Sequence, residues 1–351
     1  MDRVLMSVAV LALATLPVGT VSAEREAEEG RCFDLTGDLA ADTVSIGTWA
    51  NRHGADLWLC SSGGEAPARA MLGKIRAGAL VLTRDAATAE PSSKIFRAGD
   101  NALLLDTTRL GLGASTGLDV TLLTTLGPTN ELEVRFFGID GWNASRTASD
   151  PQEVRFEGFG IIAAAQSERI DYASRLYNVE VNVRPRVAEG VPLILGFRSL
   201  QLHERFELSR LDPQPAAVLL GARTTNYLYG FQVGAEPYLL GGDRPLRLEG
   251  LIKAGIYANY ASQGTFSPLS DTSVDARQFR TSFAGELGLT VEYQFCPSFA
   301  ARIGYELLWL HGVALAPDQS ASTNLLAPSA AVHSSASALY QGGTATLEFI
   351  F

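Results

Sequence analysis

In Phe283-Ala-Gly-Glu-Leu-Gly-Leu-Thr-Val-Glu-Tyr-Gln-Phe295 every second residue is apolar or glycine, beginning at Phe283 and ending at Phe295. Ala284, Glu286, Gly288, Thr290, Glu292 and Gln294 lie between them. A β-strand sends successive side chains to opposite faces, so this segment reads as a strand with one greasy and one polar face. Four residues later Phe299, Ala301, Ile303, Tyr305, Leu307 and Trp309 repeat the greasy row, opposite Arg302, Gly304 and Glu306. A third row, Ala345, Leu347, Phe349 and Phe351, closes the chain. Aromatics at alternate positions of a C-terminal strand, with a final Phe, resemble the assembly signal of bacterial outer-membrane β-barrels. Phe349 and Phe351 are the residues that would carry it.

Working back toward the N-terminus, the same alternation recurs. Candidate strands begin near Ile75–Arg84 and fall within Leu110–Leu126, then Glu131–Ile139, around Tyr177–Arg184 and over Val191–Phe206. Tyr227–Val233 and Leu246–Tyr260 follow. Short turns after the second, fourth, sixth and eighth strands alternate with long connections at Asp140–Arg169, Glu207–Thr224, Ala261–Ala276 and Ala314–Ser337. Tight periplasmic turns alternating with long extracellular loops are the habit of outer-membrane barrels. The expected fold is all-β: a closed antiparallel transmembrane β-barrel of about ten strands over residues 73–351. A soluble lipocalin-like barrel, with its greasy face inward, has the same period. Aromatics near strand ends favour the membrane form.

Composition agrees. Of the 351 residues 46% are hydrophobic and 19% charged, and after the first twenty no apolar run reaches the roughly 18 residues of a membrane helix. A net charge of -10 argues against nucleic acid as a partner. Arg3, the apolar run Val4–Leu16 and Val21-Ser22-Ala23 read as a signal peptide over residues 1–23, cut before Glu24. Residues 24–72 lack the period and read as a periplasmic extension, disordered in part, with room for a short helix around Ala66–Ile75. Cys32 and Cys60 lie there and are able to pair after export or to stay free; Cys296 is the odd thiol.

Longer phrases carry a family resemblance. They are Phe136-Phe-Gly-Ile-Asp-Gly-Trp142, Asp171-Tyr-Ala-Ser-Arg-Leu-Tyr-Asn178, Gly196-Phe-Arg198, Asn226-Tyr-Leu-Tyr-Gly-Phe-Gln232, Lys253-Ala-Gly-Ile-Tyr257, Gly285-Glu-Leu-Gly-Leu-Thr290 and the run from Gly304 to Gln319. Over residues 73–351 the chain resembles the planctomycete outer-membrane β-barrel porin family, the seventh of the β-barrel porin families. His311 departs from it, standing where an acidic residue is expected. The resemblance implies an outer-membrane location and a porin-like role; it supplies no substrate and no functional residue.

Candidate chemistry is sparse. Gly113-Ala-Ser-Thr-Gly117 matches a nucleophile elbow, but the chain runs on as strand where that motif needs a helix. His53, His203, His311 and His333 show no recognisable pairing with serine along the chain. Asp271, Asp275 and Asp318 are loop carboxylates that read as solvated rather than as a calcium site. No catalytic, cofactor or metal site is expected, and no enzyme activity. What remains is a set of charges on the non-greasy faces: Glu133, Arg135, Glu180, Arg184, Arg198, Glu249, Lys253, Glu286, Glu292, Arg302 and Glu306, with Glu236 beside them. They read as the lining of a narrow charged lumen, filled by ion pairs at its middle. The expected function is a porin-like barrel that passes small solutes, with a surface barrel whose extracellular loops bind partners as the alternative and an outer-membrane hydrolase third. Its expected surroundings are outer-membrane lipid and the barrel-assembly machinery.

Overall fold

The computed structural model describes residues 32–33, 59–60 and 73–351, except 86–92, 107–109, 128, 189–190, 213–216, 242–244 and 269. The chain divides into two units, Met1–Pro67 and Ala68–Phe351. The signal peptide and most of the extension lie outside the described residues, as does the candidate helix up to residue 72; Gly73–Ile75 is already strand. In the first unit Cys32–Phe33 pairs antiparallel with Leu59–Cys60, which sets Cys32 directly opposite Cys60.

The second unit is a closed barrel of ten antiparallel strands. They are β1 (Gly73–Arg84), β2 (Gly113–Thr125), β3 (Asn130–Gly158), β4 (Ile161–Ala188), β5 (Val191–Arg210), β6 (Ala217–Ala235), β7 (Leu246–Ser267), β8 (Thr272–Cys296), β9 (Phe299–Val313) and β10 (Ala336–Ile350). Each pairs with the next, and β10 returns to β1 over Tyr340↔Arg84 to Ile350↔Lys74. The seam is completed by Phe351 and Gly73, whose N–H groups each reach the other's carbonyl at 3.0 Å. Closure leaves no ladder edge for hydrocarbon to face.

The opening stretch faces as its period requires. Leu287, Leu289 and Val291 are exposed, whereas Ala284, Glu286 and Glu292 are buried. From Phe283 to Tyr293 β8 takes ten residue steps; at about 3.3 Å per step and a tilt near 40° that is a belt about 25 Å tall. Rings frame it. At the end of the barrel that holds the C-terminus Tyr293, Phe295, Phe299 and Phe349 form a chain with centroids 4.9, 5.4 and 5.0 Å apart. On the other side Tyr260 meets Phe279 at 4.9 Å, and His203 lies between Tyr177 and Tyr227. Beyond Phe279 the outward positions turn polar, with Arg277, Asp275 and Ser273 exposed. A lipocalin-like arrangement would turn these rows inward; here they face out. Among the described residues no helix is long and apolar enough to cross a membrane.

Three of the expected long connections are strand instead. Asp140–Arg169 belongs almost wholly to β3 and β4, joined by the two-residue turn Phe159-Gly160, both at positive φ (55° and 74°). That is the backbone sign of the tightest hairpin turns. A phenylalanine rarely adopts it; here its ring is fully buried and stacks on Phe206 at 6.0 Å. Glu207–Thr224 and Ala261–Ala276 likewise extend β5–β6 and β7–β8. The alternation in β3 was hidden by irregularities in its pairing with β4, between Ile139 and Trp142 and between Ser149 and Val154, which reset the phase of the period.

Candidate functional site

Following the inward face from the end that holds the C-terminus, the lumen changes chemistry twice. The first layer is a network of ion pairs. Lys74, Arg76, Arg184, Arg247 and Arg302 meet Glu133, Glu236, Glu249, Glu292 and Glu348. Arg302 is the hub, bound to Glu292 and Glu249, with Glu236 at 3.6 Å and Glu348 at 3.9 Å. Five bases match five acids.

The second layer lies deeper. Arg135 grips both oxygens of Asp119 (2.8 and 3.2 Å) and also donates to Glu286 and Glu306, each at 2.8 Å. Arg198 donates to Glu286 at 2.7 Å and Asn178 at 2.6 Å. Lys253 lies 2.9 Å from Glu180 and 3.3 Å from Glu286. Gln232 and Asn182 donate to the same Glu180 oxygen as Lys253, and Asn178 donates to the other at 3.0 Å. A buried carboxylate persists as an ion only where such donors surround it. A cavity of about 90 Å³ opens among Arg76, Asp119, Arg135, Thr290, Arg302 and Glu306.

Above these layers the inward face becomes apolar: Leu80, Leu82, Phe137, Ile139, Leu176, Leu200, Leu202, Leu308 and Leu310 are fully buried. The segment between β9 and β10, residues 314–335, folds down into this part of the lumen. Gly312, at φ 83°, turns the chain inward, and its carbonyl accepts from Ser282 and Asn259. Asn226 holds both the N–H and the C=O of Ala314, and Glu204 accepts the N–H of Ala316 at 2.8 Å. Glu204 also pairs with Arg84, whose guanidinium lies between the rings of Tyr172 and Tyr340 at 5.5 and 5.7 Å. The 3₁₀ turn Pro317–Ala321 follows, and Gln319 ties it to Leu315 and His333. The expectation that 314–337 is a free extracellular loop is corrected: Leu315, Asp318 and Gln319 are buried.

All eleven sequence-predicted lumen residues point inward and are at most 8% exposed. The structure gathers each of them into one of the two ion-pair layers. Phe349 and Phe351 stand on the outer face, 48% and 57% exposed. Sequence reading missed Arg76, Asp119 and Glu348, although each continues the period-two phase of its strand. It also missed the Arg84–Glu204 pair, which no local pattern could have joined. The reading that no histidine pairs with a serine is corrected twice: His333 Nε2 lies 3.0 Å from Ser335 Oγ, two residues along the chain. His311 also meets a serine: its Nδ1 lies 2.9 Å from Ser337 Oγ, across the β9–β10 ladder, with the ring stacked on Trp309. A hydrolytic site needs a third group to orient the histidine; among the described residues this ring meets Ser337 and Trp309. Gly113–Gly117 is strand. Among the described residues no group of three His, Cys, Asp or Glu side chains is placed to hold a metal.

No family model matches the chain, and no curated protein matches it. Solved structures do. The outer-membrane protease OmpT of Escherichia coli is similar at 9% identity and a TM-score of 0.43, over 83% of this chain and all of that one. The toluene transporter TodX of P. putida aligns at 8% identity and 0.30, over 82% of this chain and 91% of its own. The outer-membrane protein OprG of Pseudomonas aeruginosa aligns at 11% and 0.22, over 80% and 97%. At these values the likeness carries no argument, and the function has to be read from the lumen itself.

Proposed function

We propose that this chain is a porin-like barrel of the outer membrane, closed at rest, in which segment 314–335 acts as the gate of a narrow charged passage for small polar solutes. The single observation behind this reading is that the polar layers stop beneath an irregular loop, not beneath a wall of strands. The loop is held by side-chain bonds to Glu204, Asn226, Gln263 and Gln278 and by the Leu325 N–H, which donates to the Phe159 carbonyl. Ten strands enclose little more than their own side chains, so withdrawing buried Leu315, Pro317 and Gln319 would free much of the upper lumen. Apolar wall residues would still narrow it, and passage would stay small. The inward acids outnumber the bases slightly, which favours cations. In this reading the belt contacts outer-membrane lipid, and Phe349 and Phe351 are presented to the barrel-assembly machinery. The resemblance to the planctomycete porin family points the same way, and no catalytic role is assigned.

Conductance across planar bilayers tests it. Refolded wild-type protein should give rare, small, cation-preferring openings, and a variant with residues 317–333 replaced by a short Gly-Ser linker should give frequent larger ones. Equal silence from both would sink the gate. That outcome would favour the second reading, a surface barrel, which rests on the length of β3 and β4: at 29 and 28 residues they far exceed the 9–11 that cross a bilayer.

A further inference from the structure

We propose that the lumen carries a binding site for one monovalent cation, at the free carboxylate oxygen of Glu306 over Gly304. Glu306 is 5% exposed, and its Oε2 accepts from Arg135 at 2.8 Å. Its Oε1 is buried and meets no donor. Leaving such an acceptor unsatisfied is costly, and a second ligand of opposite charge removes the cost.

Oxygen donors converge beside it. Glu306 sits in register with Gly288 on β8, over which the Leu251 side chain packs, and with Gly342 on β10. One step toward the end that holds the C-terminus Gly304 stands between Thr290 and Thr344. A Cβ on Gly304 would lie 2.7 Å from Thr290 Oγ1 and 2.9 Å from Thr344 Oγ1, so the two hydroxyls converge over that glycine. Both threonines and Glu306 line the 90 Å³ cavity. That space is large enough for an ion with waters around it.

Charge points to the sign and number. In the deeper layer Asp119, Glu180, Glu286 and Glu306 are joined to Arg135, Arg198 and Lys253, four acids to three bases, whereas the layer below balances five with five. The one excess negative charge coincides with the one carboxylate oxygen of that layer that lacks a donor. A single positive charge balances it. Calcium would need several carboxylates among six to eight oxygens, and here the others are engaged by Arg and Lys. Carboxylate and hydroxyl oxygens are hard donors, suited to an alkali ion. The site lies below the apolar layer and does not depend on the gate; it would exist in a barrel that never opens.

The test uses the refolded full chain in detergent. Melting temperatures are compared in sodium, potassium, caesium and choline chloride at equal ionic strength. One alkali ion should raise the midpoint above choline in a saturable way. Glu306→Gln should weaken that apparent affinity at least about tenfold, equivalent to 1.4 kcal/mol. Thr290→Val with Thr344→Val, which keeps the charge and the shape, should weaken it too and serves if the glutamine variant fails to fold. In thallium(I)-soaked crystals an anomalous peak should appear beside Glu306. Identical midpoints in all four salts, with no thallium peak, would overturn the proposal and leave a proton as the neutralising charge. A salt-specific shift unchanged in both variants would overturn it as well, by placing the ion elsewhere.

Discussion

Asn226 binds Ala314 as one strand binds another: its Oδ1 accepts the Ala314 N–H at 2.8 Å and its Nδ2 donates to the Ala314 carbonyl at 2.7 Å. The partners are 88 residues apart and meet inside the barrel, where a loop is normally unable to satisfy its backbone. Asn226 therefore does for segment 314–335 what a neighbouring strand does for β9.

Asn226→Leu keeps the bulk and removes both bonds. Two buried backbone groups are then left unpaired, at about 1–3 kcal/mol each. The segment should loosen before the barrel does. Limited proteolysis should cut within residues 314–335 in the variant and spare the wild type, while channel openings become more frequent. Resistance equal to wild type would remove Asn226 from the gate.

Arg302 sits among four glutamates. Arg302→Ala strands Glu249 and leaves Glu292 to Arg247 alone, and loss of one partner from a buried network costs about 3–5 kcal/mol. The midpoint of denaturant unfolding should fall and the conductance, where present, should rise. Arg302→Lys, which keeps the charge, should recover part of the stability. An alanine variant as stable as wild type would mean that this layer is wetter than its burial implies.

Leu289 and Thr290 are neighbours on opposite faces of β8. Leu289→Arg puts a charge against lipid, costing about 2–4 kcal/mol near the midplane. Thr290→Arg delivers the same charge to the cavity beside Glu306, where it meets a carboxylate. Folding yield into liposomes should drop sharply for the first and little for the second. Equal losses would contradict the facing of the strand.

Glu168 lies in the part of β4 above the belt, fully buried, with neither carboxylate oxygen bonded. Burial alone pushes its carboxyl up to about 8 from the ordinary 4.5. The folded hairpin therefore holds a proton that the opened one has lost between those values. Its stability is complete below about pH 4.5 and declines as pH rises toward 8, by at most about 1.4 kcal/mol per unit. Hydrogen exchange in the outer ends of β4 and β5 should accelerate over that window beyond the intrinsic rate. Glu168→Gln should flatten the dependence.

How much of this was legible follows from where the information sits. Alternation along β8, β9 and β10 was enough for strands, for their facing and for a closed barrel, because a period of two is a local property and a membrane belt demands that one face be apolar throughout. The charges on the other face were equally local: Glu286, Arg302 and Glu306 had to point inward once Leu287, Ile303 and Leu307 pointed out. Three things needed the tertiary structure. The phase breaks in β3 turned a strand into an apparent loop, since a bulge is defined by its partner strand. The descent of residues 314–335 depends on Asn226 and Glu204, far away in sequence and brought near only by barrel closure. The free oxygen of Glu306 depends on a count of donors and acceptors across seven strands, and on glycines at positions 288, 304 and 342 being set side by side by register. Local pattern decides which way a side chain points; only the closed barrel decides what it meets there.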